Sequence, residues 1–133
     1  MPYSQRVLVV DDEAPICELL TRWLRAWGYG VKQAPTATIA LEVMAAEPAD
    51  ILLCDVRMPG EEDGLWLAEQ VRERWPQTAI IMATALDDAQ IVLKSRRLGA
   101  VDYVLKPFAD ALLRQALDRA SGRAQFRPSS RNT

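Results

Sequence analysis

Val7-Leu8-Val9-Val10-Asp11-Asp12-Glu13 is the stretch on which the reading of this chain turns. Four consecutive apolar residues, three of them β-branched, suit a strand covered on both faces, as parallel strands between two helical layers are. The run then breaks into three acids, so the chain leaves the core at one defined point. Further β-rich runs follow at Val31–Ala34, Ile51–Cys54, Ala79–Ala83 and Val101–Leu105, several of them near-continuously apolar.

Helical patterns separate these runs. Ile16, Leu19, Leu20, Trp23, Leu24 and Trp27 recur at helical spacing until Gly28 stops the helix. Thr36 can cap a second helix carrying Ile39, Ala40, Val43 and Met44, which must end before Pro48. A third runs from about Gly64 to Trp75, with Leu67, Ala68, Val71 and Trp75 on one stripe and Pro76 beyond. The fourth is expected from Asp87 or Asp88 to Gly99. The fifth follows Pro107, with Phe108, Leu112, Leu113, Ala116 and Leu117 facing inward. Five alternations of strand and helix predict a doubly wound parallel sheet with right-handed crossovers. Such sheets bind ligands at the carboxyl ends of their strands.

Composition narrows the chemistry. The 133 residues are half apolar and 26% charged, enough for one domain with its own core and a short tail. The division expected is one domain over residues 1–120 and a polar, basic tail or linker stub over 121–133. No apolar run approaches the ~18–20 residues that span a bilayer, and Met1–Arg6 lacks the apolar stretch of a signal peptide. A cytoplasmic protein with no membrane partner is expected. The net charge of −2 includes three arginines of the tail, Arg123, Arg127 and Arg131, so residues 1–120 alone carry −5. Direct nucleic-acid binding by such an acidic domain is not expected. The chain has no histidine, which excludes Ser-His-Asp and Cys-His catalysis and His-based zinc sites. Cys17 and Cys54 fit no metal spacing and read as buried thiols.

The strand ends carry the remaining information. The first strand ends in Asp11-Asp12-Glu13, the third in Asp55, the fourth in Thr84 and the fifth in Lys106-Pro107. Taken singly, the acids could cap a helix and Lys106-Pro107 could begin one. If strands one and three are neighbours, however, three carboxylates share one small space. At ~4 Å and an effective dielectric near 20, each pair repels by about 4 kcal/mol. Lys106 supplies one compensating charge, and a hard divalent ion such as Mg²⁺, which takes carboxylates and phosphate oxygens together, supplies two more.

Four blocks in this order, Val-Leu-Val-Val-Asp11-Asp12-Glu13, Leu-Cys-Asp55-Val-Arg57-Met58-Pro59-Gly60, Met-Ala-Thr84-Ala85 and Asp-Tyr103-Val-Leu-Lys106-Pro107-Phe108, resemble response-regulator receiver domains over about residues 5–120. The resemblance implies a flavodoxin-like sheet of order 2-1-3-4-5 with five helices. It implies that Asp55 is the phosphoacceptor and that Asp12 binds Mg²⁺ directly, Asp11 largely through water. The Arg57 backbone carbonyl would be a further ligand. Thr84, the Ala85 N–H and Lys106 would hold the phosphoryl group, with a cis peptide before Pro107. Tyr103 would be the aromatic that turns inward on activation. One departure stands out: the family's Gly eight positions after the acceptor is here Gly64, nine positions on. The loop Gly60-Glu61-Glu62-Asp63 is thus one residue longer, and the start of the third helix is in question.

What the resemblance implies about function is a signalling phosphoacceptor, not an enzyme with its own substrate. A sensor histidine kinase or phosphotransfer protein would be the donor. The output surface would be the fourth helix, fifth strand and fifth helix. Its mixed charges, Lys94, Arg96, Arg97, Arg114 and Arg119 against Asp102, Asp110 and Asp118, suggest a phosphorylation-dependent homodimer through reciprocal salt bridges. Two rivals differ in their residues. Aspartyl phosphatases place a second acid two positions after the nucleophile, where this chain has Arg57. Degenerate receivers lose an acid, the Thr or the Lys, and all are present here.

Overall fold

The computed structural model describes residues 5–58, 60–85, 90, 102–107 and 109–125. The apolar runs form five strands: β1 (Arg6–Val10), β2 (Gly30–Ala34), β3 (Ile51–Asp55), β4 (Ala79–Thr84) and β5 (Asp102–Leu105). All pair in parallel in the order β2-β1-β3-β4-β5. The described helices are α1 (Ala14–Ala26), α2 (Ala37–Ala46), α3 (Gly64–Arg74) and α4 (Asp110–Gln125). The last is the fifth helix of the sequence reading. The expected fourth, Gln90 apart, lies outside the described residues.

Alternation along the strands divides the core in two. Leu8, Val10, Leu52, Cys54, Ile80 and Met82 face α2 and α3, whose Ala40, Met44, Leu67 and Val71 close that side. Val7, Val9, Ile51, Leu53, Ile81 and Ala83 face α1 and α4, meeting Leu20, Leu24, Leu113 and Leu117. β3 and β4 are buried throughout, whereas edge strand β2 exposes Lys32 and Gln33. An exposed charge on an edge discourages pairing with other chains.

Local signals end most helices where the sequence indicates. Gly28 adopts φ +96° directly after α1, a conformation that costs glycine little. Thr36 caps α2 by accepting the Ile39 N–H at 3.1 Å. Ile39 is exposed on α2, because the buried face of that helix is set by Ala37, Ala40 and Met44. Two expectations need correction. Leu112 is 55% exposed, since the buried stripe of α4 is Leu113, Ala116, Leu117 and Ala120 and Leu112 sits about 90° from its centre at ~100° per residue. The helix also continues past Ala120 to Gln125, so the first residues of the stretch read as tail are helical. Ser121, sharing a 3.0 Å hydrogen bond with Tyr29, fastens that extra turn to the start of β2.

Leu53 on central strand β3 is 1% exposed and packed between α1 and α4. Leu53→Ala should cost about 2–5 kcal/mol, the range for a buried leucine that leaves a cavity. A lower urea midpoint with an unchanged slope is the expected readout.

Candidate functional site

β1 and β3 lie side by side, with Val10 opposite Cys54, so the acids that follow each strand emerge together at the carboxyl edge. Carboxylate oxygens of Asp11, Asp12 and Asp55 lie within 4.8 Å of one another. Asp11 and Asp55 are buried, and Asp12 is exposed. Asp11 is held by its own turn, where Oδ1 accepts the Glu13 N–H at 2.9 Å. The Glu13 carbonyl then accepts from Ile16 and Cys17 N–H, both at 3.1 Å, and starts α1.

Lys106 reaches the cluster from the end of β5, preceding a cis peptide to Pro107. Its backbone N–H donates to the Thr84 carbonyl at 2.8 Å. Its Nζ stands 3.1 Å from Asp55 Oδ1 and 3.4 Å from Asp11 Oδ2. Burial pushes the Asp55 carboxyl upward, more than the hydrogen bond and charge of Lys106 pull it down, and the Asp11 charge adds to the rise. Burial draws the Lys106 ammonium down, but its hydrogen bonds and charge contacts with Asp55 and Asp11 outweigh this and leave it raised. One cation thus faces three acids. The set has the hard oxygen donors and the uncompensated charge that a divalent ion requires.

Thr84 is buried at the end of β4, and its hydroxyl donates to the Ala85 carbonyl at 3.0 Å. It shares the carboxyl edge with the cluster but spends its proton locally. Tyr103 is half-buried on β5, opposite Met82, and packs against the core layer under α2 and α3. The Arg57 side chain is exposed, while its backbone hydrogen-bonds the Asp55 carboxylate.

The loop of residues 60–63 leads directly into α3, which begins at Gly64. Gly60 turns the chain with φ +92°. Asp63 caps the helix by accepting the Trp66 N–H at 3.0 Å, and Glu62 accepts from the Thr38 hydroxyl at 3.2 Å. Gly64 lies so close to the backbone of Asp55 that a Cβ there would collide with the Asp55 carbonyl. The backbone behind Asp55 is therefore held from α3 as well as from β4, where the Val56 N–H donates to the Ala83 carbonyl at 2.9 Å. The sequence marked Gly64 only as a shifted glycine.

Two further features have no clear sequence signal. The buried Cys17 thiol donates to the Asp11 carbonyl at 3.2 Å, a contact across a turn that periodicity does not encode. Beside Lys106 and Pro107, a groove of about 360 Å³ runs along α1 over Ile16, Leu19, Leu20 and Trp23.

Residues 7–118 match the response regulator receiver domain. The chain belongs to that family. Receivers are signalling domains of two-component systems, and the order of this sheet is theirs. Transcriptional regulatory protein ZraR of Escherichia coli is 34% identical over 114 residues, covering 86% of this chain and 26% of that protein. The chain thus spans about a quarter of the length of this curated relative. Among solved structures, chemotaxis protein CheY4 of Vibrio cholerae superimposes with a TM-score of 0.81 at 28% identity, covering 89% of this chain and 99% of that one. The receiver domain of NtrX from Brucella abortus gives 0.80 at 28% identity, covering 86% and 96%. Among the described residues, no helix of this receiver is long and apolar enough to cross a membrane.

Asp55, with its carboxyl raised in the fold, contributes stability below its unfolded pKa that is lost as pH rises through the folded one. Asp55→Asn should therefore stabilise the metal-free receiver at neutral pH, with the gain shrinking as pH falls into the carboxylate range. Thermal unfolding of both proteins between pH 4 and 8 checks this, and a gain that grows on acidification would contradict it.

Proposed function

We propose that the receiver is a Mg²⁺-dependent phosphoacceptor switch in which Asp55 takes a phosphoryl group from a histidine on a separate protein. The observation that carries this reading is the Asp55 carboxylate itself, nearly buried at a strand end, 3.1 Å from Lys106 and clustered with Asp11 and Asp12. The donor lies outside these 133 residues, which contain no histidine. A sensor histidine kinase or phosphotransfer protein fits, and the apolar groove beside Lys106 supports a docked partner at the mouth of the site. The domain extends through the end of α4 at Gln125, and acts in the cytoplasm without direct contact to nucleic acid.

In the transfer, an Asp55 oxygen attacks phosphorus in line with the histidine nitrogen. The O–P bond forms as the P–N bond breaks, and the imidazole leaves. Lys106 follows the charge from the carboxylate onto the phosphoryl oxygens. Asp12 directly, Asp11 through water, Asp55 and the Arg57 carbonyl would hold Mg²⁺. The bound ion supplies positive charge to the oxygens of the transferring group. Water attack on the acyl phosphate restores Asp55, so no external substrate is turned over.

Thr84 and Tyr103 form the switch. A phosphoryl group on Asp55 competes with the Ala85 carbonyl for the Thr84 hydroxyl and can accept from the Ala85 N–H. Space vacated by Thr84 lets Tyr103, on the adjoining strand, turn further inward. Moving a balance from 1:99 to 99:1 takes about 5.5 kcal/mol, and charge-assisted hydrogen bonds contribute roughly 1.5–3 kcal/mol each, so Thr84, Lys106 and the Ala85 N–H suffice together. The output surface comprises β5, α4 and the helix expected before them, and serves an output domain or partner. Arg119 is already engaged in its own chain, bidentate to Asp102 at 2.6 and 3.1 Å, and Arg114 lies 5.4 Å over the Trp27 ring. A phosphorylation-dependent dimer would draw on the other charges of that surface.

Incubation with phosphoramidate or acetyl phosphate and Mg²⁺ should add one phosphoryl group by intact mass, and Asp55→Asn should show none. Undiminished labelling of the variant would overturn the assignment. Separately, Mg²⁺ at ten times its dissociation constant should stabilise the wild type by about 1.4 kcal/mol through linkage. Asp12→Asn should lose most of that response, and a melting temperature indifferent to Mg²⁺ in the wild type would remove the metal from the reading.

A further inference from the structure

We propose that Cys17 is a positioning residue for Asp11, its thiol holding the backbone carbonyl of that acid and so setting where the Asp11 carboxylate stands in the cluster. The inference rests on the reading of Asp11 as part of the metal-binding set. A buried thiol in an apolar pattern is ordinarily core packing. Cys17 does pack with Val7, Val9, Leu20 and Leu24, but its sulfur is 3.2 Å from the Asp11 carbonyl oxygen, across the turn that carries the acids.

The rest of the turn is held lightly. The Asp11 N–H donates to the Ala34 carbonyl at 3.3 Å, at the long end of the range. Its carboxylate has one short hydrogen bond, to the Glu13 N–H, and a 3.4 Å contact with Lys106. Asp11 is 3% exposed, so a carbonyl that lost its donor would find little solvent to replace it. Cys17 also lies beside a polar contact from the neighbouring strand. Gln33, on edge strand β2, donates from Nε2 to Thr21 Oγ1 at 2.6 Å and to the Cys17 carbonyl at 3.5 Å. A chain of polar contacts therefore runs from β2 through the first half of α1 to Asp11. Valine would fill the volume of Cys17 and offer no donor, whereas serine would keep one.

The test compares the full chain as wild type, Cys17→Val and Cys17→Ser, measuring the Mg²⁺ dissociation constant by calorimetry and the metal-free melting temperature. Cys17→Val should weaken Mg²⁺ binding roughly tenfold, the lower end for partners that orient a ligand, with Cys17→Ser within about twofold of wild type. Should Cys17→Val not fold, Cys17→Ala, also without a donor, is read in its place. Lower melting temperatures with unchanged Mg²⁺ affinity would assign Cys17 to packing and overturn the inference, as would equal weakening in the valine and serine variants. A wild type that binds no Mg²⁺ would overturn the metal reading of the cluster itself, and this inference with it.

Discussion

The crowding of Asp11, Asp12 and Asp55 at one edge of the sheet is the constraint around which the remaining structure is arranged. Carboxylate oxygens within 4.8 Å of one another repel by roughly 3–4 kcal/mol per pair at an effective dielectric near 20. A parallel sheet in which β1 lies beside β3 cannot avoid bringing them together. Lys106 offsets part of this from β5, the far edge strand. The balance of charge therefore links the two halves of the sheet through one side chain that touches both Asp11 and Asp55. What Lys106 leaves unbalanced is negative charge on a set of carboxylate oxygens that could hold a metal ion.

A reactive carboxylate is useful only if its backbone does not yield. Asp55 is held from three directions: by its strand, by the Val56 hydrogen bond to β4, and by Gly64 at the start of α3, whose backbone leaves no room for a side chain. The Cys54 thiol donates to the Asp55 carbonyl at 3.3 Å and tightens the same corner. The two apolar layers behind the sheet supply the rigidity, and the polar edge is free to carry chemistry. In the loop before α3, Gly60 turns the chain, Asp63 caps the helix and Glu62 accepts from Thr38.

The same arrangement sets Thr84 and Tyr103 on the two strands that follow β3 in the sheet. Thr84 ends the strand next to β3, and its carbonyl is bound by the Lys106 N–H. Tyr103 lies two residues from the end of β5, in register with Met82. β4 and β5 thus continue the sheet from Asp55 to its far edge. The intramolecular pair of Arg119 with Asp102 braces β5 against α4.

The sheet and the gathering of acids at its carboxyl edge were largely legible in the amino-acid sequence. Apolar runs of four or five residues ending in acid, threonine or lysine specify buried parallel strands and what stands at their carboxyl ends, because burial and backbone periodicity are local properties. Gly28 and Thr36 marked helix limits for the same reason. Tertiary structure alone decided where side chains aim. Leu112 and Ile39 fit their helical patterns and yet are exposed, because the neighbouring strands accept only a narrow stripe of each helix. Lys106 meets Asp11 across 95 positions of sequence, Tyr29 fastens Ser121 across 92, and Gln33 with Cys17 steadies the acidic turn. Such contacts follow from the order of strands and the depth of packing, which join residues that no sequence period relates.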